Sequence, residues 1–302
     1  MRSEGDLTGS ESSVTFVTLL LSAESEQSVR RAIASLREFG GVLASSPVLV
    51  FAPASLSGSG IGRLEGTEVA VLELESELAR YPFGAKVSAC AQAEARVPRG
   101  SNSLVWLGPG CMVFRPPELF ALGPDYDAAF RPVHITNIGS PRSAPLDDYW
   151  AHVYAAVGAK DSDESVESLL DGRRLRPYYN THCFSINPEL GVMKAWLDSF
   201  RSLVADRAFQ SEPCRDDLHR IFLHQAVLSA LVTRSIAPGR VRILPPGYSY
   251  PLHFHDKLAS TQRVRLMNDI TVAAYEEDFD LAAVTAKEPL RSWLKRYGTG
   301  PA

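Results

Sequence analysis

Histidines and one glutamine have the residue types and spacing that could do chemistry in this chain. His253 and His255 lie two residues apart, and in a strand this spacing would direct both imidazoles toward one metal ion. Zinc sites need a third or fourth ligand, which the sequence does not identify, so two histidines in an aromatic loop are the alternative. His224 precedes Gln225 on an apolar helical stripe. Gln225 is therefore either a hydrogen-bonded core amide or part of a cavity wall.

Carboxylates and imidazoles are also candidates for a general base that faces an acceptor hydroxyl. The candidates are Asp148 with its neighbour Asp147, Asp217, and His224 beside Gln225. An Asp pair that precedes an amphipathic helix more commonly caps the helix. Asp147 or Asp148 fits that role as well as it fits catalysis.

The composition excludes several classes of protein. The 302 residues are 45% hydrophobic, and 31 Lys and Arg against 35 Asp and Glu give a net charge of −4. These values argue against a disordered chain and against nucleic acid or an anionic membrane as the main partner. The four cysteines form no CxxC pair, which is typical of reduced thiols, and no apolar run is long enough to span a bilayer. We expect a cytoplasmic protein with no membrane span and no nucleic acid partner.

The chemically interesting residues are positioned by the elements of an α/β fold. Residues 14–21 form an apolar, β-branched run that is typical of a strand buried in a parallel sheet. A helix that stops at Gly40 follows, and residues 47–51 form a second strand, which completes a βαβ unit. Strand-like pieces then alternate with predicted helices at residues 146–157, 189–204 and 216–233. We predict one α/β domain over 14–297, a polar tail at 1–13 and a frayed end at 298–302.

Five segments of the chain, in the right order, are similar to elements of GT-A type nucleotide-diphospho-sugar transferases. These segments lie between residues 82 and 254, and the ordered resemblance as a whole extends from about residue 14 to 275. The segment LVWLGPGCMVFRPPELF (104–120) matches the family's strand, DxD turn and following strand. The others are PFGAKVSACAQAE (82–94), YYNTHCFSINPELGVMKAWLDSF (178–200), RIFLHQAVLSALV (220–232) and ILPPGYSYPLHF (243–254).

This resemblance implies a fold, a ligand and a set of site residues. The fold would be a single domain with a mostly parallel sheet flanked by helices, and the partners would be a nucleotide-sugar donor and an unknown acceptor. The expected catalytic candidates are Asp148, His224 and Gln225. The expected substrate-binding residues are Lys86, Gly108, Gly110, Asn180, His182, His253 and His255.

The chain departs from the family pattern at its chemical centre. Gly108 and Gly110 stand at the two DxD positions and carry no carboxylate for a hard cation. Ala273 and Ala274 stand where a late histidine ligand would fall. We therefore expect no cofactor, because the missing ligands argue against the Mn or Mg binding that the resemblance would otherwise imply. Cationic side chains or helix N-termini would then have to neutralise the diphosphate. The candidate cations are Lys86, Arg115, Arg131 and Arg142.

Three functions remain open at this point. The first is a metal-independent or atypical glycosyltransferase that binds a nucleotide-diphospho-sugar. The second is a catalytically silent protein that keeps the fold as a binding or scaffold module. The third is a metal-dependent hydrolase that uses His253 and His255. An open cleft beside Gly108 and Gly110 would favour a working site.

Overall fold

A seven-stranded mixed sheet forms the centre of the computed structural model, which describes residues 14–275 and 285–297. The described strands are β1 (Val14–Leu19), β2 (Val48–Ala52), β3 (Thr67–Val71), β4 (Ser103–Leu107), β5 (Cys111–Val113), β6 (Ala128–Pro132), β7 (Val166–Glu167), β8 (Arg174–Leu175), β9 (Tyr179–Ile186), β10 (Val241–Ile243), β11 (Tyr250–Pro251) and β12 (Val272–Ala274). The central sheet has the order β10-β6-β9-β4-β1-β2-β3. Only β9 runs antiparallel to its neighbours, so the carboxyl ends of the other six strands share one edge.

Helices cover both faces of this sheet, as the sequence predicted. The described helices are α1 (Glu26–Phe39), α2 (Ser76–Arg80), α3 (Gly84–Glu94), α4 (Asp148–Val157), α5 (Val192–Ala205), α6 (Arg207–Ser211), α7 (Asp217–Ser235) and α8 (Leu290–Tyr297). Phe16 joins the core that contains α1, whereas Val17 joins the core that contains α3, α4, α5 and α7. Because alternate side chains of a strand point to opposite faces, a strand buried on both sides must be apolar throughout. The predicted α/β fold with a mostly parallel sheet is confirmed.

A second, three-stranded sheet packs beside the carboxyl end of β4. Its order is β11-β12-β5, and β12 pairs antiparallel with β5 so that Ala274 lies opposite Cys111. The tight turn predicted between two strands is residues 108–110, which connect β4 to β5. Ala273 and Ala274 lie in β12, which pairs with β5 directly after the turn 108–110. The contact of this segment with the turn is a backbone hydrogen bond, from the Tyr275 N–H to the Gly110 carbonyl.

One prediction, the strand at His253 and His255, needs correction, and the predictions for the two chain ends lie outside the described residues. His253 and His255 belong to a short 3-10 helix, Leu252–Lys257. The expectation that they share one side of a strand is wrong, because residues two apart in such a helix point in different directions. The predicted tail at 1–13 and frayed end at 298–302 lie outside the described residues. Within those residues, none of the helices combines the length and apolar character needed to cross a membrane.

Asp147, not Asp148, caps α4. The Asp147 carboxylate accepts a hydrogen bond of 2.8 Å from the Trp150 backbone N–H, while Asp148 is exposed in the first turn. We expect Asp147→Ala to lower the free energy of unfolding by about 1 kcal/mol. Asp148→Ala should cost only about 0.3 kcal/mol, the lower end of the range for an exposed carboxylate that interacts with the helix dipole alone. Urea denaturation of both variants tests this difference, and equal losses would contradict it.

Candidate functional site

A cleft of about 640 Å³ opens at the carboxyl edge of the central sheet, where β1 and β4 end. The turn 108–110 forms one side, and the start of α3 forms another. The beginning of β9 and the first half of α7 complete the walls. Most of the lining is apolar, and Leu21 and Phe83 are exposed at its surface. A ligand in this cleft would meet few polar groups, so the position of each one matters.

Lys86 supplies a buried cation to the cleft. Its side chain is 6% exposed, and its ammonium group donates a hydrogen bond to the Thr181 backbone carbonyl. The ammonium also lies 5.2 Å from the ring centre of Trp106 and 5.8 Å from that of Phe83. An ammonium has three N–H donors, and a described residue accepts from only one of them. Lys86 can therefore donate to a ligand.

Thr181 connects the cleft floor to α7. Its hydroxyl lies 3.0 Å from Nε2 of His224 and 3.4 Å from Oε1 of Gln225. Nδ1 of His224 lies 2.9 Å from the Ile221 carbonyl, so this nitrogen carries the proton and Nε2 accepts from Thr181. Burial first, and the nearby charge of Lys86 second, lower the pKa of His224 well below its ordinary value. His224 is thus a neutral ring, with both nitrogens engaged, stacked on Phe83 at 4.1 Å.

His182 is the one exposed residue of β9, and it lines the cleft. Its Nδ1 donates to Oδ1 of Asn180 over 2.7 Å, which leaves Nε2 as the acceptor. Ser249 donates to the same Asn180 oxygen over 3.1 Å, and the Ser249 carbonyl accepts from Nε2 of His134 over 2.7 Å. One side of the His182 ring faces the open cleft, but the surrounding protein still removes much of its hydration. This desolvation first, and the charge of Lys86 second, lower the pKa of His182. Asn180 therefore stands behind His182 and orients it.

The turn at Gly108 and Gly110 is packed directly against backbone carbonyls. A Cβ at position 108 would lie 2.9 Å from the His182 carbonyl oxygen, and one at position 110 would lie 2.8 Å from that of Tyr275. Both glycines also hydrogen-bond these neighbours through the backbone, each over 2.9 Å. The absence of side chains is thus a requirement of the packing, because real Cβ atoms do not approach so closely.

Comparisons with known proteins identify this architecture. No protein-family model matches the sequence, and no curated protein sequence is significantly similar to it. Galactosyltransferase LgtC, solved with donor and acceptor sugar analogs, matches with a TM-score of 0.53 and 10% identity, over 95% of this chain and 98% of LgtC. An active-site mutant of LgtC gives 0.54 and 11% over the same 95% and 98%. The chain has the GT-A glycosyltransferase fold.

A further structural match of this GT-A chain is the apo form of mouse xyloside xylosyltransferase 1. Its TM-score is 0.49 at 10% identity, and the match covers 89% of this chain and 99% of the xylosyltransferase.

The described residues around the cleft do not fit a metal centre. The turn at the DxD positions carries no donor side chain, and carbonyl oxygens occupy the space that side chains would need. Among residues 14–275 and 285–297, no group of three or more His, Cys, Asp or Glu is arranged to hold a metal ion. His255 is engaged elsewhere, with its Nδ1 2.8 Å from the Tyr250 hydroxyl. The ring of His253 lies 6.5 Å from that of His182.

The structure brings together six of the ten predicted site residues. Those that line the cleft are Lys86, Gly108, Gly110, His182, His224 and Gln225. Asn180 does not line the cleft but hydrogen-bonds His182, which does, whereas His253 and His255 lie outside the lining. Asp148 is also outside it, which corrects the expectation of a base there. The reason is that α4 packs its buried face, including Tyr149 and Trp150, against α5 and α7 and leaves Asp148 in solvent.

Of the four candidate cations, only Lys86 lines the cleft. Arg115 is exposed away from it, and Arg142 forms ion pairs with Asp161 and Asp163. Arg131 lines a separate cavity. The single buried charge of the cleft is therefore supplied by α3.

Sequence reasoning missed three contributors to the cleft. Thr181 lies inside the matched segment 178–200, so its place between Asn180 and His182 was a usable signal. Phe83 stacks on His224 from a left-handed backbone conformation with a φ of 61°. Arg80 reaches the lining only because α2 folds back before α3, and nothing in the local pattern indicates this.

Lys86 also makes stability depend on pH. Burial lowers its pKa from 10.5 to about 7, against the opposing influence of nearby thiols. The unfolded chain binds more protons than the folded chain between these values, so stability rises with pH. From pH 7 to 8.5 we expect Lys86 to add about 1–2 kcal/mol to the free energy of unfolding. Lys86→Met should lack this increment in urea denaturation, and parallel pH profiles for the two proteins would contradict the assignment.

Proposed function

We propose that the chain binds a nucleotide-diphospho-sugar in this cleft, with no metal held at the turn 108–110, and transfers the sugar to an acceptor. The observation that carries the proposal is Lys86, a buried ammonium with free donors in a cleft that no described carboxylate lines. A GT-A fold surrounds it. A diphosphate is the anion that such a fold handles according to the sequence resemblance.

The start of α3 strengthens the positive character of this wall. Phe83 precedes the helix as its N-cap and makes no side-chain capping hydrogen bond, and Ala85 and Lys86 in the first turn line the cleft. The first N–H groups of a helix lack partners inside it and carry a partial positive charge. The Gly84 N–H already donates to the Tyr81 carbonyl, so the Lys86 ammonium and the N–H groups of Ala85 and Lys86 would replace the metal in neutralising the diphosphate leaving group.

The remaining polar groups suit substrate positioning. Nε2 of His182 is a hydrogen-bond acceptor, and Gln225 supplies an amide to the lining. Phe83 offers an exposed aromatic face that a nucleobase or a sugar can contact. These groups fix orientation in a largely apolar cleft, as small-molecule sites commonly require.

A second candidate function is a silent protein that binds the nucleotide sugar without turnover. It is favoured by the absence of a described carboxylate in the lining and by the lowered pKa of both imidazoles, His182 and His224. An inverting transfer needs a base that faces the acceptor. Neutral rings with low pKa values are weak bases, so binding would survive where transfer does not.

Isothermal titration with UDP-, GDP- and dTDP-sugars, in EDTA and in Mn²⁺, tests the binding proposal. We expect at least one donor to bind equally well under both conditions. Failure of every donor to bind would overturn the proposal. Release of free sugar or nucleotide diphosphate from a bound donor then separates the two functions, since turnover would exclude the silent protein.

A further inference from the structure

A second cavity, separate from the cleft, surrounds Arg131. It has a volume of about 390 Å³ and lies where β6 and β10 end, with Pro132 and Ile243 in its wall. None of its lining residues lines the cleft. Because β9 lies between β4 and β6 in the sheet, the two cavities open on the same edge on either side of β9.

Arg131 is a buried cation with a donor that lacks an acceptor among residues 14–275 and 285–297. Its exposure is 7%, and its buried Nε has no hydrogen-bond partner among the described residues. Burial lowers its pKa to about 10, so it keeps its charge at neutral pH. Buried charges are normally paired, because an unpaired one loses its hydration without compensation. An anion that enters the cavity would supply the missing acceptor.

Other walls of the cavity provide two further donors and one opposing charge. The Ser165 oxygen accepts from Nε of Arg174 over 2.7 Å, which leaves the Ser165 hydroxyl hydrogen for another acceptor. Gln262 uses one amide N–H on the Leu169 carbonyl over 2.9 Å and retains the second. Glu167 is the acidic residue of the described lining, and it is exposed.

We propose that this cavity binds an oxyanion, the carboxylate or phosphate group of a small ligand, through the guanidinium of Arg131. Ser165 and Gln262 are the supporting donors. A planar guanidinium matches both oxyanions because it can donate two parallel hydrogen bonds. Arg131 also lies opposite Asn180 in the pairing of β6 with β9, and Asn180 orients His182 in the cleft. Arg131 is therefore paired in the sheet with the residue that orients a side chain of the cleft.

Thermal unfolding with inorganic phosphate, acetate or chloride at matched ionic strength tests the proposal. The parent protein carries Lys86→Met, so that binding in the cleft does not contribute. We expect at least one of phosphate and acetate to raise the melting temperature above that in chloride, and the stronger of the two identifies the oxyanion. Arg131→Met should abolish this increment and should itself melt higher in chloride, because the uncompensated buried charge is gone. A structural arginine would show the opposite change in chloride.

Matched variants make the outcome decisive. Arg99→Met removes an exposed arginine before β4 and should keep the full response. Glu167→Gln removes the opposing charge and should tighten phosphate or acetate binding several-fold, while Ser165→Ala should weaken it. An oxyanion response that persists in Arg131→Met, or that equals the chloride response, overturns the proposal. If Arg131→Met does not fold, an unchanged response in Glu167→Gln overturns it. Nucleotide-sugar binding is measured separately on proteins with Lys86 intact, so each proposal can fail alone.

Discussion

Lys86→Met should weaken nucleotide-sugar binding about 10- to 100-fold, which corresponds to the 1.5–3 kcal/mol typical of a hydrogen bond to a charged group. The reason is that Lys86 is the one buried cation in the described lining of the cleft. Methionine keeps most of the volume and the contacts with Trp106 and Phe83, so the cleft should keep its shape. The measurement is isothermal titration in EDTA.

A pH profile separates the charge of Lys86 from its packing. The pKa of Lys86 is lowered to about 7 in the empty cleft, so above this pH binding must first protonate the amine. The affinity of the wild-type protein should then fall by up to about tenfold per pH unit. A sugar diphosphate esterified at both ends has no group that titrates here. Lys86→Met should bind weakly with no such slope.

Lys194→Met is the matched control for this experiment. Lys194 is an exposed lysine on α5 that pairs with Asp198 four residues later, so the variant loses the same charge away from the cleft. We expect wild-type affinity and a wild-type pH slope. If both lysine variants lose affinity equally, the effect comes from net charge, and the assignment of Lys86 to the diphosphate is wrong.

The architecture could be predicted because its signals are local. The all-apolar run of β1, the glycine stop of α1 and the strand, turn and strand of residues 104–120 each depend on neighbouring residues. The sequence resemblance then ordered these pieces and placed Lys86 and Gln225 at one cleft. Both residues line the same cleft in the structure, and their part in binding stays a prediction.

Some predicted residues have a different position or role in the structure, because these depend on packing between distant parts of the chain. His253 and His255 follow a strand of only two residues, Tyr250–Pro251, and the chain then turns into a 3-10 helix, which the spacing of two histidines does not reveal. Asp148 is one of two adjacent carboxylates, and only the packing of α4 decides which one caps the helix. The cavity at Arg131 is lined by four segments that are separated along the chain: residues 131–132, 165–169, 243–246 and 262. No pattern within one segment could predict it.

Introducing aspartates at positions 108 and 110, to create a DxD motif, should disturb the packing of the turn. Gly108→Asp and Gly110→Asp would each place a Cβ within 3 Å of a backbone carbonyl oxygen, that of His182 or Tyr275. Either β9 or the end of β12 must then shift, and overpacking of this kind costs about 1–3 kcal/mol. At the buried position 108 the new carboxylate would also lose hydration, which adds to the loss.

We therefore expect both variants, and more strongly the double variant, to lose stability in urea denaturation without gaining Mn²⁺-dependent hydrolysis of a nucleotide sugar. Gly58→Asp is the matched control, since Gly58 is exposed and a Cβ there would meet nothing within 4 Å. It should unfold like the wild-type protein. The contradicting outcome is a double variant that matches this stability and hydrolyses the donor with Mn²⁺. That result would show that the two carbonyls can move aside and that the packing of the turn does not require glycine at positions 108 and 110. Loss of stability without activity would instead show that the packing of the turn requires positions 108 and 110 to have no side chains, so that a metal could not be held there by substituting aspartate.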